Sequence, residues 1–127
     1  MWEPQIPALT QRFRVLRYDT RGHGQSDTPP GPWSFDDLTG NVIALMDQFG
    51  IDRCAFMGLS MGGMTGLGLA LAHGDWFDRL VCADGRADAP APFRQMWDER
   101  IAKVADGGLA GRSLRYGERD PRHDPRQ

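Results

Sequence analysis

Between Arg53 and His73 the chain passes from a short apolar run, through Gly58-Leu59-Ser60-Met61-Gly62, into a long segment of small and aliphatic residues. That order constrains the fold more than any other feature. An apolar run of about five residues suits a buried strand, and the longer segment suits a helix. One serine between glycines must make the whole strand-to-helix turn, which is sharp enough to lift its Oγ above the end of the sheet. Small residues two positions either side of Ser60 are what such crowding requires, and Gly58 and Gly62 fit. The helix that follows points free N–H groups back at the serine, so the N–H of Met61 is a candidate donor to a developing oxyanion. A glycine–serine turn without these flanks would carry little weight; here both flanks are present.

The rest of the chain repeats the alternation. Trp2 to Phe13 places Ile6, Leu9 and Phe13 at helical spacing, although Pro7 interrupts it. Arg14 to Asp19 reads as a strand, and Thr20 to Trp33 as a glycine- and proline-rich loop. Ser34 is a candidate N-cap, with Asp36 and Asp37 favoured in the first turn. Leu38, Val42, Leu45, Met46 and Phe49 form the apolar face of that helix, which Gly50 ends. The strand from Arg53 to Met57 and the helix from Met61 to His73 follow, with Gly74-Asp75 as the stop. Arg79 to Ala83 reads as a further strand, and Phe93 to Ala105 as a helix ending at Gly107-Gly108. Apolar strands alternating with helices predict an α/β fold with three or four parallel strands, Arg79 to Ala83 buried and Arg53 to Met57 suited to burial on both faces. Arg112 to Gln127 holds five arginines, three acids and two prolines with almost nothing apolar, and reads as an arginine-rich, disordered tail.

Composition narrows the function. A formal charge of −2 offers no general attraction to nucleic acid or anionic membranes. The most apolar stretch, Met57 to Ala72, contains five glycines and suits a strand and helix better than a membrane span. No basic segment followed by an apolar run opens the chain, so no secretory signal is read. Cys54 and Cys82 sit in apolar runs and suggest reduced core residues of a cytoplasmic protein.

Several motifs together resemble the α/β-hydrolase family, and within it the 3-oxoadipate enol-lactonases. They are Trp2-Glu3-Pro4-Gln5, the loop Tyr18-Asp19-Thr20-Arg21-Gly22-His23-Gly24-Gln25-Ser26-Asp27 with Pro29-Pro30-Gly31-Pro32 after it, Gly58 to Met64, and Trp97-Asp98-Glu99-Arg100-Ile101. The resemblance runs from Trp2 to about Leu109. It implies a partial α/β-hydrolase domain over 1–111, with a lid segment beginning near Arg86, and the tail over 112–127. It also implies hydrolysis of a lactone ring in a small dicarboxylic substrate of aromatic catabolism. A Ser–His–Asp triad with no metal or organic cofactor would do this, Ser60 being the nucleophile and Met61 the oxyanion donor.

In that family the acid and histidine follow the serine along the chain, on later strands that have no counterpart before Leu109. The first strands and the loop giving a second oxyanion N–H would precede Met1. The expectation is therefore a chain truncated at both ends and inactive alone, as a frame-shifted or wrongly ended reading frame would be. His23 is structural by resemblance. His73 lies at the far end of the elbow helix, ~20 Å from Ser60 at helical rise, and His123 lies in the tail. Asp84 ends a strand and is a candidate acid, though a solvated strand-end aspartate is the commoner reading. Arg86 and Trp97 are candidates to line a pocket for a carboxylated substrate, since a guanidinium pairs bidentately with carboxylate; surface roles suit them equally. The alternatives are another small-substrate esterase of this fold and, from a different class, a non-catalytic fragment or half of a split protein.

Overall fold

The computed structural model describes residues 1–107. Its elements are α1 (Ile6–Leu9), α2 (Phe35–Gln48), β1 (Cys54–Leu59), α3 (Met61–His73), a 3-10 turn (Gly74–Trp76), β2 (Phe77–Ala83) and α4 (Ala91–Gly107). They divide into two compact units, one spanning Met1–Gly85 and the other beginning at Arg86. The arginine-rich tail lies outside the described residues.

The first unit is built on one β–α–β crossover. β1 and β2 pair in parallel, with Phe56 beside Leu80, Met57 beside Val81 and Leu59 beside Ala83. Parallel neighbours need a crossover, and α3 supplies it. α3 packs on both strands, and α2 packs on α3. Val42 and Met46 of α2, Leu69 of α3 and Phe77 of β2 form the buried core, with Phe56, Leu80 and Cys54 against it. The α2 helix starts where its sequence indicates. The Ser34 side chain accepts from the Asp37 N–H, and the Asp37 carboxylate accepts from the Ser34 N–H at 2.7 Å. Those bonds favour the ionised form and hold the Asp37 carboxyl below its usual range, so this exposed cap persists through that range and weakens only as pH falls through the lowered value. At the other end Gly50 takes the left-handed conformation, φ +61°. Both cysteines are free; burial, with Asp78 nearby, raises the Cys54 thiol pKa and keeps it protonated.

Leu69 is the deepest side chain, with no exposed surface. Leu69→Ala is expected to destabilise the fold by about 2–5 kcal/mol, the usual cost of an aliphatic core truncation. Leu71→Ala, two residues along α3 at 90% exposure, serves as its comparison and should stay within about 0.5 kcal/mol. Denaturant titration of both variants checks the pair.

Four expectations from the sequence need correction. The helix predicted over Trp2 to Phe13 is the four-residue α1, starting with Pro7 in its first turn. Phe13 is exposed, so the longer helix would have no cover for its apolar face. Arg14 to Asp19 is not a strand, because no other segment of the described residues offers it a ladder. Side chains fix that segment instead: Arg17 pairs with Glu3, and the Gln25 N–H donates to the Asp19 carboxylate at 3.0 Å. The sheet has two strands rather than three or four. Nor are those strands buried on both faces. α3 covers one face, while Met57 and Val81, neighbours across the sheet, stay partly exposed.

The second unit is α4 with the turn before it. Arg94 donates to the Ala89 carbonyl at 2.6 Å, and the N–H of Phe93 to Pro90 at 2.9 Å. Arg86 lies over the Phe93 ring at 4.6 Å, Phe93 meets Trp97 edge to face, and Arg100 lies over Trp97 at 5.0 Å. Helical spacing places Phe93, Trp97 and Arg100 on one face, so cation–π contacts build this ladder along the helix.

Candidate active site

Ser60 stands at the junction of β1 and α3, as its N-cap. Its backbone lies at φ +54°, ψ −113°, a conformation L-residues avoid. The turn is held from three directions. The Ser60 N–H donates to the Ala83 carbonyl of the adjacent strand at 2.9 Å, and its own carbonyl accepts from Met64 at 3.0 Å. A Cβ on Gly58 would collide with the Gly62 carbonyl. Ordinarily a serine before a helix caps it with its hydroxyl, but the Ser60 side chain makes no cap bond. The residue is exposed, so the hydroxyl is presented to solvent rather than spent on the helix. The first N–H groups of α3, Met61's among them, have no acceptor within the helix and lie at its positive end.

The close approach is one-sided. Gly62 was expected to be crowded as well, yet a Cβ there meets open space. The crowded partner is Gly63, where a Cβ would lie 2.9 Å from the Ala83 carbonyl and 3.2 Å from Gly85 Cα. Gly58→Ala should therefore cost about 1–3 kcal/mol or more, because both clashing groups are backbone. Gly62→Ala should be neutral or stabilising by up to about 1 kcal/mol through helix propensity. Thermal melts of the two variants would show opposite signs.

The remaining candidates separate. His23 lies in an exposed loop with Nδ1 3.1 Å from the Arg21 carbonyl oxygen. His73 ends α3 and packs edge to face on Trp76 at 5.8 Å, at the opposite end of the helix from Ser60. Arg86 and Trp97 both belong to the second unit, where Arg86 is also ion-paired with Asp88 at 3.2 Å. A cleft of about 340 Å³ between the Tyr18–Pro29 loop and α2 is lined by Arg21 and Asn41, not by Ser60. Sequence reasoning missed the backbone of Asp84, which lies at φ +47° at the end of β2. The Asp84-Gly85 pair was the available signal, since Asp-Gly marks tight turns.

The profile of the alpha/beta hydrolase fold matches residues 1–110. The chain belongs to the α/β-hydrolase family. Among relatives of this α/β hydrolase, 3-oxoadipate enol-lactonase 2 of Acinetobacter baylyi is 40% identical over 109 residues, covering 86% of this chain and 40% of that protein. A putative carbamate hydrolase of Caulobacter segnis is 38% identical over 110 residues, covering 85% and 41% respectively. The crystal structure of the enol-lactonase from Burkholderia xenovorans superposes with a TM-score of 0.79 at 45% identity, covering 87% of this chain and 42% of that one. This α/β hydrolase thus spans about two-fifths of the length of the relatives it matches. The resemblance read in the sequence is matched by the family profile, by the enol-lactonase relative and by the solved enol-lactonase structure.

Proposed function

We propose that this chain carries the nucleophile of a serine hydrolase acting on a small lactone or ester, with an enol-lactone of the 3-oxoadipate type as its substrate. The observation that carries the reading is Ser60 itself, strained at φ +54°, exposed, free of capping duty and set at the start of a 13-residue helix. Oγ of Ser60 attacks the carbonyl carbon, and the oxyanion that forms accepts from the Met61 N–H. Collapse breaks the acyl C–O bond, opening the ring of a lactone (its enol stays on the acyl chain) or releasing the alcohol of an ester. The leaving oxygen takes up the proton lost from Ser60, and water then hydrolyses the acyl group from Ser60. Neither step calls for a metal or organic cofactor. The imidazole that takes the Ser60 proton is assigned to the part of the family's length that this chain does not span. By itself the chain is the nucleophile-bearing piece.

The enol-lactonase relatives support the lactone substrate, and the similarity to proteins named carbamate hydrolases makes a carbamate the second reading. A graft tests both. The 109 matched residues of the Acinetobacter baylyi enol-lactonase are replaced by those of this chain. The graft is then assayed with an enol-lactone, a nitrophenyl ester and a carbamate. Preference for the enol-lactone is expected. A graft that turns over only the simple ester, or only the carbamate, would displace the enol-lactone assignment while leaving Ser60 in place.

A further inference from the structure

Ser60 has a structural counterpart one strand away. Leu59 and Ala83 are the last paired residues of β1 and β2, so Ser60 and Asp84 occupy equivalent next positions at one end of the sheet. They are also the residues other than glycine with positive φ among those described, +54° and +47°. The turn at Asp84 is clamped by the same structure that holds Ser60. Ala83 accepts the Ser60 N–H at 2.9 Å, and Gly63 and Gly85 pack backbone against backbone, a Cβ on Gly85 reaching Gly63 C at 3.1 Å. A glycine at 84 would relieve the unfavourable φ at no steric cost. The chain instead keeps a residue whose side chain is exposed and charged there.

We propose that Asp84 is a specificity-determining residue of the Ser60 site: its carboxylate disfavours substrates that carry negative charge close to the attacked carbonyl. Adjacent strands lie about 4.8 Å apart, so the residues that follow Leu59 and Ala83 leave the ladder from neighbouring positions, and a charge on one lies within Coulomb range of the other. Coulomb repulsion at that range in a partly solvated site changes relative rates by roughly three- to tenfold. The nearest cation in sequence, Arg86, is ion-paired with Asp88. The selection is thus by position of charge. A carboxylate remote from the reacting bond is tolerated, whereas one beside it is penalised. This inference rests on Ser60 being the reacting residue, and it deepens that reading by naming a charge class for the substrate.

The test needs no turnover. Ser60→Cys places a thiol at the site in the full 127-residue chain. Its alkylation by neutral iodoacetamide and anionic iodoacetate is followed at residue 60 by peptide mass spectrometry, which separates it from Cys54 and Cys82. The ratio of the two rates reads the local charge. Asp84→Asn in that background is expected to lower the iodoacetamide preference roughly three- to tenfold, and 0.5 M salt should shrink the difference. Asp84→Gly, which lacks both charge and strain, should match the Asn variant. Asp75→Asn, beyond the far end of α3, should leave the ratio unchanged. An unaltered ratio in both Asp84 variants, or an equal change on Asp75→Asn, overturns the role of Asp84. A residue 60 thiol unreactive to both reagents counts instead against an accessible nucleophile, and so against the proposed function.

Discussion

In an enol-lactonase carrying this chain's matched residues, Ser60→Ala lowers kcat/KM for the enol-lactone by at least about 10⁴-fold, with the melting temperature unchanged within a few degrees. Loss on that scale follows because the acyl-enzyme cannot form without Oγ. Only the oxyanion donor and substrate binding remain to accelerate attack by water. The fold should hold, since the hydroxyl makes no capping bond and the turn is fixed by backbone groups that alanine retains. Alanine keeps the same unfavourable φ, so the variant inherits the strain rather than releasing it. Paired steady-state assays and thermal melts separate the two effects. A loss below tenfold would mean that the serine is a turn residue and that another group reacts.

Local chemistry made some elements legible in the sequence. The Ser34–Asp37 capping box, the left-handed Gly50 and the bounds of α3 depend on neighbours within a few residues, and each was readable from them. The strain at Ser60 was readable for the same reason, since a strand and a helix must meet across one residue. Features that need distant partners were misjudged. Arg14 to Asp19 has the composition of a strand, but composition supplies no ladder, and the described residues contain none for it. Met57 and Val81 look like fully buried strand residues, yet one face of the sheet lacks cover among the described residues. At the site, Gly58 was correctly seen as crowded, while Gly62 was credited with contacts that belong to Gly63. The pairing of Gly63 with Gly85, and the matching strain at Asp84, depend on the register between β1 and β2, which no local pattern specifies.

The second large effect concerns the chain by itself. The 127-residue polypeptide is expected to hydrolyse neither an enol-lactone nor a nitrophenyl ester above its Ser60→Ala control. Among the described residues no imidazole lies within hydrogen-bond reach of Ser60; a serine hydroxyl without a base is a poor nucleophile near neutral pH, and losing the base costs several orders of magnitude. His73 is at the opposite end of α3, ~20 Å from Ser60 at helical rise. His23 is held in its own loop, with Nδ1 against the Arg21 carbonyl. The assay compares wild type and variant at equal folded fraction, established by circular dichroism and size-exclusion chromatography. Among the described residues one sheet face is uncovered and the strand edges are unpaired, which makes that control necessary, because such surfaces favour self-association. Turnover that depends on Ser60 in a monodisperse sample would contradict the assignment of the base to a segment outside this chain.

Covalent trapping tests the central claim most directly. The graft is treated with a nitrophenyl phosphonate, whose phosphorus is attacked by an activated serine with loss of nitrophenolate, leaving a stable phosphonyl ester. Intact mass and peptide mapping then locate the adduct. The account predicts one phosphonyl group per chain, on the peptide containing Ser60, and none in the Ser60→Ala variant. An adduct on any other residue, or labelling undiminished by that substitution, would contradict it.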